Sequence, residues 1–478
     1  MKEYGLIVIG TGSAMNLLGP YLQENPGMKV AVIDKDEPGG ICLTRGCIPS
    51  KIVLYPAELV RLMQRAGDFG IAVDVKKIAF DQVMERMRTL ISREINAIKE
   101  GLSHSKNIDY YPIAAKFTAP YTLRVGEETV TSKMILLCTG SKPQIPLIKG
   151  LHEVGYLTSD TLLTVRRLPK SVAIIGGGYI AAEYGHFLSA MGAKTTVIGR
   201  NPQFLKHEEP EISALATKAL QHHLTIVTNH EVREVERTSR GMKKLSAIHR
   251  ETGETLTVTA DEILVAAGRT SNTDILQPER GGIQTDAEGW IVVNEYLETS
   301  QPNVWAFGDA NGRHLFKHVA NYEALVVYNN AFLKRRRKVD YHAIPHAVFT
   351  DPEIASVGLR EQEAVETYGE DTVLIGVQRY QDTAKGEAMG VEDCFVKVLV
   401  EKETMKLLGA HIVGPQASIL IQEIITLMYT PEQSAAPILR GMHIHPALSE
   451  VVERAFHALM TPEQYHHVIE HHYNLPAS

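Results

Sequence analysis

Two glycine-rich turns, each set between a buried strand and a helix, constrain the fold of this chain more than any other feature of its sequence. The first is Gly10-Thr-Gly12, which follows an apolar run at 4–9 and precedes a helix-compatible stretch at 13–24. The next apolar strand ends in Asp34, about 20 residues further on, which completes the fingerprint of a dinucleotide-binding unit. Backbone N–H groups at the helix start would approach a pyrophosphate, and the acid would accept a hydrogen bond from a ribose hydroxyl.

The same arrangement recurs in the middle of the chain. An apolar run at 171–175 leads into Gly176-Gly-Gly178, a predicted helix from about 179 to 191 and a further strand. Here the acid is missing, because Gly199 holds its place and is followed by Arg200, with Lys206 close behind. Without an acceptor for a free 2′-hydroxyl, the two cations would hold a 2′-phosphate, unless they are solvated surface charges. The pattern favours NADP modestly over NAD.

A pair of cysteines, Cys42 and Cys47, follows the first unit in a glycine-flanked segment at 39–51. A zinc site would need two further ligands, and no other cysteine or histidine group has suitable spacing, so no metal centre is expected. Positions five apart on a regular helix point about 140° away from each other, so a bridge needs a distorted first turn, which Gly46 and Pro49 would permit. A helix N-terminus favours the thiolate. The pattern indicates a redox pair rather than two unrelated loop cysteines.

Composition excludes several classes of protein. The 478 residues suggest about three domains at ~150 residues each. The net charge of −7 has the wrong sign for a nucleic-acid-binding protein, and no apolar run approaches the ~18 residues of a membrane span. Four cysteines cannot form a secreted disulfide framework, and residues 1–10 lack the pattern of a signal peptide. We expect a cytoplasmic protein that binds neither nucleic acid nor membranes.

The predicted fold class is α/β, with two Rossmann-like dinucleotide-binding domains followed by an α+β interface domain. The first nucleotide domain is expected to hold FAD and the second a nicotinamide nucleotide. Residues 52–106 are predicted to be helical and residues 108–137 to form short strands. The predicted boundaries are 1–150 for the FAD domain, 151–270 for the NAD(P) domain, 271–340 for a segment returning to the FAD domain, and 341–478 for the interface domain.

A candidate base and its orienting acid, His445 and Glu450, lie near the end of the chain. A carboxylate on one ring nitrogen fixes the tautomer and leaves the other nitrogen free. Such a pair is more often surface hydrogen bonding, but thiol exchange needs a proton acceptor, which favours the catalytic interpretation. The tail histidines are expected to lie in a frayed C-terminus and to bind metals only adventitiously: His466, His467, His471 and His472.

These elements together resemble the pyridine nucleotide–disulfide oxidoreductases, the family of dihydrolipoamide dehydrogenase and glutathione reductase. The resemblance runs in order through nearly the whole chain. It includes both glycine turns, the GGxCxxxGCxPSK element at 39–51, Phe307-Gly-Asp309, Lys317-His-Val-Ala320 and His445-Pro-Ala-Leu-Ser-Glu450. It implies hydride transfer between a nicotinamide and FAD, followed by dithiol–disulfide exchange, in a homodimer with shared active sites.

The resemblance also implies roles for individual residues. Cys42 matches the interchange thiol that attacks the substrate, and Cys47 matches the thiol in charge-transfer contact with the flavin. Lys51 matches a lysine near flavin N5 that is paired with an acid, here Glu183. Tyr179 matches the residue that lies over the flavin until the nicotinamide displaces it.

The remaining implied contacts complete the candidate site. His445 and Glu450 match the base pair that the second subunit contributes. FAD contacts are implied for Gly10, Gly12, Ser13, Asp34, Lys51, Thr139, Gly140, Asp309 and His318. Contacts with NAD(P) are implied for Gly176, Gly178, Tyr179, Ile180, Arg200, Lys206 and Gly268.

Two substrates fit the resemblance. Residues 13–24 carry no Arg or Lys, and their apolar side chains suit a lipoyl arm: Met15, Leu17, Leu18 and Tyr21. These residues and the CIPSK motif at 47–51 favour lipoamide or dihydrolipoamide, either free or on a lipoyl-bearing protein. Gly10-Thr-Gly-Ser13 and Val348-Phe-Thr-Asp-Pro352 instead resemble mycothione reductase, an NADPH-dependent reductase of a low-molecular-weight disulfide, in agreement with Arg200. The lipoamide interpretation comes first and the low-molecular-weight disulfide second.

A third hypothesis is a flavoprotein retained as a non-catalytic subunit. It would need a damaged redox centre, yet the candidate catalytic residues are all present in the sequence. No cysteine follows Cys394, so a relay through a C-terminal thiol, as in mercuric reductase, is not expected.

Overall fold

Two five-stranded parallel sheets and a six-stranded antiparallel sheet form the framework of the computed structural model, which describes residues 1–472 and, for His472, only the backbone. The predicted α/β fold class is thereby confirmed. Among the described residues, no helix has both the length and the apolar character needed to cross a membrane.

The first parallel sheet takes one of its strands from late in the chain. Its strand order is Val304–Ala306, Ile135–Leu137, Leu6–Ile9, Val30–Ile33 and Ile108–Tyr111. Apolar residues fill the strands because both faces of a parallel sheet are covered. A smaller sheet shares its core and contains Lys2–Glu3, Glu128–Thr131, Thr122–Val125 and Ala115–Ala119.

The second parallel sheet repeats this design. Its order is Leu157–Thr158, Glu262–Val265, Ser171–Ile175, Lys194–Ile198 and Thr225–Val227. An antiparallel sheet accompanies it, formed by His230–Arg237, Lys243–His249 and Thr255–Ala260. The chain leaves the first unit through Ser141–Pro143 and returns through Arg269–Ser271, and these two strands pair with each other.

The C-terminal sheet is antiparallel throughout. Its order is Pro345–Val348, Ile354–Gly358, Leu407–Val413, Phe395–Glu401, Val373–Arg379 and Leu459–Met460. The helices along the chain are Met15–Glu24, Gly40–Thr44, Cys47–Arg65, Phe80–His104, Leu151–Val154, Ser159–Leu162, Tyr179–Ala190, Pro210–Leu220, Lys317–Val327, Tyr328–Phe332, Glu361–Tyr368, Ala384–Ala388, Ala417–Leu420, Gln422–Met428, Ala436–Arg440, Ser449–His457 and Pro462–His472.

The prediction of continuous helix over 52–106 is wrong in its middle. The helix Cys47–Arg65 passes into the short 3₁₀ turn Ala66–Phe69, and a new helix starts only at Phe80. Gly70 stands between them with φ of 75°, a left-handed conformation that ends helices and that glycine adopts without strain.

The prediction that the first helix offers an apolar face to a substrate is also wrong. Leu17, Leu18 and Tyr21 are buried in the core of the first sheet. The residues that the helix leaves exposed are Asn16, Gly19, Pro20, Gln23 and Glu24. Periodicity identifies an apolar face correctly, and here that face packs on the protein's own sheet.

A buried ionic cluster joins the second nucleotide unit to the C-terminal sheet. We call it the Lys397 cluster, and it consists of Lys397 with Glu209, Glu211 and Glu361, whose carboxylates lie 3.4, 2.5 and 2.6 Å from the ammonium. Burial lowers the pKa of Lys397, but the three carboxylates outweigh burial and raise it. The carboxylates lie close enough together to hold a metal ion, and the Lys397 ammonium already lies among them.

The C-terminal helix Pro462–His472 packs onto this cluster. His466 Nε2 lies 2.6 Å from Glu361 Oε1, and Tyr465 is fully buried with its hydroxyl 2.5 Å from Glu211. The expectation of a frayed tail is therefore wrong for His466, which is fixed by a buried acid. The side chain of His472 lies outside the described residues.

Candidate active site

The two glycine turns build the same backbone cradle. A side chain at Gly10, whose φ is 99°, would lie 2.1 Å from the carbonyl oxygen of Cys138. A side chain at Gly176, whose φ is 142°, would lie 2.1 Å from the carbonyl oxygen of Ala266. Only glycine fits at either position, and each turn leads to the N-terminus of a helix, where N–H groups favour phosphate.

Both cradles open into one cavity of about 1100 Å³. This volume lies just above the ~300–1,000 Å³ that is typical of a small-ligand site. Most of the candidate residues line this cavity: Gly10, Gly12, Ser13, Asp34, Cys42, Cys47, Lys51, Thr139, Gly140, Gly176, Gly178, Tyr179, Ile180, Glu183, Arg200, Lys206, Gly268 and Asp309. Three others, although they are described, do not line it: His318, His445 and Glu450.

The two cysteines meet across a break in the helix. The short helix Gly40–Thr44 carries Cys42, and the long helix Cys47–Arg65 begins at Cys47. At Gly46 between them, a side chain would lie 2.9 Å from the carbonyl oxygen of Ile41. This break supplies the distorted turn that two thiols five positions apart need in order to touch.

The thiol pair shares one proton. A hydrogen bond from the Cys47 thiol lowers the pKa of Cys42 to about 7 against the opposing effect of burial, and the charge of Lys317 lowers it further. The same hydrogen bond, together with burial, raises the pKa of Cys47. The reduced pair therefore presents a thiolate near neutral pH, and the thiolate is the nucleophilic form.

A lysine and an acid lie next to the thiols. Lys51 stands one helical turn after Cys47, and its ammonium lies 2.8 Å from each carboxylate oxygen of Glu183. The backbone N–H of Phe349 donates to Glu183 Oε1 over 3.1 Å, and the ammonium lies 4.4 Å from the centre of the Phe349 ring. The pair therefore has a fixed position at the junction of three parts of the chain.

Acidic and hydroxyl groups line the part of the cavity that belongs to the first unit. Asp34 accepts hydrogen bonds from the backbone N–H and the hydroxyl of Thr11, at 2.8 and 2.6 Å. Asp309 accepts one from the Ser141 hydroxyl at 2.5 Å. The Thr139 hydroxyl is buried without a hydrogen-bond partner among the described residues, so a polar ligand group would satisfy it. These groups fit the sugar and pyrophosphate portions of FAD.

Lys317 is a site residue that sequence reasoning missed. Its ammonium donates to the Ser13 hydroxyl over 2.8 Å, and it lines the cavity. The neighbouring His318, which the resemblance implied, turns away and places its Nε2 2.8 Å from the carbonyl oxygen of Pro345. The sequence offered only the adjacent residues Lys317 and His318 as candidates, and the structure alone shows that Lys317 is the one that faces the cavity.

Cationic groups and histidines line the part of the cavity that belongs to the second unit. Gly177 and Gly199 lie side by side, and a side chain at 199 would meet the Gly177 Cα atom at 3.5 Å, an ordinary van der Waals distance. Around this contact the cavity is lined by Arg200, Lys206, His207, His230 and Arg233. Glu231 lines the same part and pairs with Arg233 over 2.6 Å, so Arg200 and Lys206 are the cations that a 2′-phosphate would meet.

His445 and Glu450 form a pair on the outside of the chain. His445 Nδ1 lies 3.0 Å from Glu450 Oε1, and the N–H of Ala447 donates to the other carboxylate oxygen over 3.2 Å. The hydrogen bond from His445 lowers the pKa of Glu450. The His445 side chain is 68% exposed and that of Glu450 8%, so the acid is held, and the second ring nitrogen of His445 has no hydrogen-bond partner among residues 1–471.

Comparison with known proteins gives two family matches that together cover most of the chain. Residues 4–324 match the model of the pyridine nucleotide-disulphide oxidoreductases, and residues 344–456 match the dimerisation domain of the same family. The break between the two matches falls just before the strand Pro345–Val348, where the C-terminal sheet begins.

Individual relatives extend over nearly the full length. The chain is 36% identical to mycothione reductase of Mycobacterium tuberculosis, covering 95% of this chain and 99% of the relative. It is 34% identical to dihydrolipoyl dehydrogenase of Geobacillus stearothermophilus, covering 96% and 97%. It is 34% identical to mercuric reductase of Staphylococcus aureus, covering 88% and 76%.

A solved structure gives the same result. The Cu(II) complex of the HOCl-induced flavoprotein disulfide reductase RclA from Escherichia coli superposes with a TM-score of 0.84 at 25% identity, covering 95% of this chain and 99% of that one. The fold, the paired glycine turns and these matches agree: the chain belongs to the pyridine nucleotide-disulphide oxidoreductases, a family of FAD-dependent enzymes that use a pyridine nucleotide.

Proposed function

We propose that this chain is an NADPH-dependent reductase of a low-molecular-weight disulfide. The observation that carries the proposal is the contact between the Cys42 and Cys47 thiols in the cavity that both glycine turns enter. FAD, when bound, would take electrons from the nicotinamide and deliver them to the Cys42–Cys47 disulfide.

The reduced thiol pair then carries out the exchange. The Cys42 thiolate attacks one sulfur of the substrate disulfide, which breaks that S–S bond and releases the first thiolate. Cys47 attacks the sulfur of Cys42, breaks the mixed disulfide and releases the second thiol, so two electrons leave the pair and its own disulfide forms. The partner subunit's His445 would protonate the leaving thiolate, in a homodimer that the match to a dimerisation domain supports.

The remaining candidate residues would hold the cofactors. The turn at Gly10, with Asp34 and Asp309, would hold FAD, and Lys317 takes the place proposed earlier for His318. The turn at Gly176–Gly178 would hold the pyrophosphate of NADPH. The corresponding division into segments 1–150, 151–270, 271–340 and 341–478 is supported by the strands that each segment gives to its sheet.

The choice of substrate rests on two observations. The missing acid at Gly199 and the neighbouring Arg200 favour NADPH, and three of the four apolar side chains that had favoured a lipoyl arm, Leu17, Leu18 and Tyr21, are buried in the core. The relative that is 36% identical is named for mycothione, a disulfide of this class. Few cysteines and a redox-active pair suit the reducing cytoplasm, where we place the enzyme.

Lipoamide chemistry is the second candidate. The exposed residues of the first helix carry no cation, and dihydrolipoyl dehydrogenases are among the relatives of similar length. A face without cations, on which Glu24 is the one charged residue, would accept a neutral lipoyl group as well as a neutral thiol.

Anaerobic assays with the purified flavoprotein decide between the candidates. NADPH and NADH are compared as reductants against mycothione, glutathione disulfide and lipoamide, with Hg²⁺ and Cu²⁺ as further acceptors. Dihydrolipoamide is tested in the reverse direction with NAD⁺ and NADP⁺. We expect fast NADPH oxidation with a neutral or weakly charged disulfide. Rapid NAD⁺ reduction by dihydrolipoamide, with slow NADPH oxidation by every other disulfide, would overturn the proposal in favour of the second candidate.

A further inference from the structure

A buried acid, Glu323, holds the turn that carries Asp309. It lies on the helix Lys317–Val327, and its exposure is 0%. The backbone N–H of Gly308 donates to Glu323 Oε2 over 2.5 Å, and the side-chain amide of Asn311 donates to both carboxylate oxygens over 3.1 Å. These two donors are the first and last residues of a short 3₁₀ turn, which we call the Asp309 turn. One carboxylate therefore binds both ends of the turn.

A third donor to Glu323 comes from the C-terminal part of the chain. The Tyr341 hydroxyl lies 2.5 Å from Glu323 Oε1, shortly before the strand Pro345–Val348. Burial raises the pKa of Glu323 even though all three donors favour its charged form. A carboxylate in this place is costly for the fold, which is typical of groups that hold a functional geometry.

The Asp309 turn also packs closely on the helix that carries Glu323. Gly308 has φ of 65°, and a side chain there would lie 3.1 Å from the Ala320 Cβ atom, closer than an ordinary van der Waals contact. This contact stops the turn from moving toward the helix. The hydrogen bonds from Gly308 and Asn311 stop it from moving away.

The same helix contacts the first glycine turn. Lys317 begins the helix and donates to the Ser13 hydroxyl over 2.8 Å, and Glu323 follows between one and two helical turns later. Ser13 and Asp309 both line the cavity. The helix therefore sets the separation between two turns that would contact FAD, and Glu323 is the residue through which it holds the second of them.

The Asp309 carboxylate has one oxygen left for a ligand. Ser141 donates to Oδ2 over 2.5 Å, whereas Oδ1 has no hydrogen-bond partner among residues 1–471. An ionised carboxylate only accepts hydrogen bonds, so a hydroxyl group of FAD is a suitable donor to the remaining oxygen.

We propose that Glu323 is a positioning residue for FAD, which keeps the remaining carboxylate oxygen of Asp309 directed into the cavity by holding Gly308 and Asn311. The inference rests on the proposed function, in which Asp309 binds FAD, and adds to it a residue that does not itself line the cavity. Without this carboxylate the Asp309 turn would have several orientations. FAD would bind only one of them, which lowers its apparent affinity.

The test is the rate at which the complete flavoprotein releases FAD after dilution, followed by the rise in flavin fluorescence. Glu323→Gln keeps the size of the side chain and removes its charge, so we expect release to be about ten- to hundredfold faster. Tyr341→Phe is the matched control, because it removes a hydrogen bond to the same carboxylate without touching the turn. We expect it to change the rate by less than about threefold.

A further single variant covers the case in which Glu323→Gln does not fold. Asn311→Ala removes one of the two donors on the Asp309 turn and leaves the carboxylate in place. We expect it to release FAD about three- to tenfold faster than the wild type. An unchanged rate in Asn311→Ala would then contradict the inference.

A double variant separates positioning from general structural damage. If Glu323 acts through Asp309, Glu323→Gln should have little further effect on FAD release in the Asp309→Asn background. Binding of NADP⁺, which would use the second nucleotide unit, is measured by titration calorimetry on the same proteins. We expect the NADP⁺ affinity to be unchanged in every variant.

The outcomes distinguish this inference from the proposed function. If the wild-type protein holds no FAD, or if Asp309→Asn releases it no faster, the proposed FAD site is wrong. If Asp309→Asn releases FAD faster but Glu323→Gln does not, the positioning role of Glu323 is wrong. Additive effects in the double variant, or an effect of Tyr341→Phe as large as that of Glu323→Gln, would also overturn it.

Discussion

The Lys51 ammonium lies 2.8 Å from both carboxylate oxygens of Glu183 and thereby joins two helices that begin at functional residues. One helix begins at Cys47 and the other at Tyr179, and each member of the pair stands one turn after its helix start. The ion pair therefore fixes the distance between the thiol pair and the turn that would hold the nicotinamide nucleotide.

Loss of this ion pair should slow electron entry. In Glu183→Gln the ammonium loses a charged partner worth about 1.5–3 kcal/mol, so we expect NADPH to bleach the flavin at least about tenfold more slowly. Stopped-flow absorbance measures the rate. Asp393→Asn is a matched control, because it breaks the exposed 2.8 Å pair with Lys218 and should leave the rate unchanged. Equal effects of the two substitutions would contradict the assignment.

Removal of the second thiol should separate the two half-reactions. Cys47→Ser cannot resolve a mixed disulfide, so we expect disulfide turnover to fall by more than about 1,000-fold while NADPH still bleaches the flavin. Cys394→Ala, which removes a buried thiol far along the chain, is the control. Turnover with any disulfide that survives Cys47→Ser would show that the two cysteines are not the redox pair.

The reactivity of Cys42 should depend on pH in a defined direction. Its pKa is lowered to about 7, so the thiolate is present above that pH and is lost as the pH falls through it. We expect the rate of alkylation of the reduced enzyme by iodoacetamide to be half-maximal near pH 7. Peptide mapping identifies the alkylated residue.

Lys317 should shift that midpoint. Because its positive charge favours the Cys42 thiolate, Lys317→Met should move the half-maximal pH upward, and Lys317→Arg should leave it in place. An unchanged midpoint in Lys317→Met would mean that the charge of Lys317 does not act on the thiol.

The proposed preference for NADPH over NADH should be reversed by two substitutions directly after the strand Lys194–Ile198. A side chain at 199 meets only ordinary contacts, so Gly199→Asp with Arg200→Ala supplies an acceptor for a ribose hydroxyl and removes a phosphate partner. We expect the ratio of kcat/KM for NADH over NADPH to rise by about 100-fold or more. Steady-state kinetics with both nucleotides measures it, and an unchanged ratio would show that the 2′-position is recognised elsewhere.

Shared active sites should be visible by complementation. Cys42→Ser and His445→Gln are each expected to be inactive as homodimers, yet a heterodimer of the two would retain one complete site. Random mixing after dissociation should therefore restore about a quarter of the wild-type activity. If no activity returns although heterodimers form, the base comes from the same chain as the thiols.

Sequence reasoning succeeded where function depends on the backbone of short segments. The turns at Gly10 and Gly176 have conformations that favour glycine, so the glycines in the sequence indicate where the two nucleotide units begin. The strand, turn and helix around each turn are local in the sequence, and the structure places residues of both turns along one cavity. Roles within the chemistry stay predictions.

The sequence did not predict which surfaces of distant segments pack against each other. The periodicity of the first helix places Leu17 and Leu18 on one apolar face. A pattern within one helix cannot show whether a sheet or a substrate covers that face, and in the structure the protein's own sheet covers it. Glu208 and His346 are 138 positions apart in the sequence, and no sequence pattern indicates that their side chains form a hydrogen bond. Only the packing of the C-terminal sheet against the nucleotide unit makes them partners.

The Lys397 cluster limits how this enzyme can move. Lys397 lies in the C-terminal sheet, whereas Glu209 and Glu211 lie in the second nucleotide unit. Moving the two apart would separate these buried charges, and breaking a buried ion pair costs ~3–5 kcal/mol. Hinged closure of one body onto the other is therefore disfavoured. A nucleotide that enters the cavity would therefore meet a second nucleotide unit and a C-terminal sheet that this cluster already holds against each other.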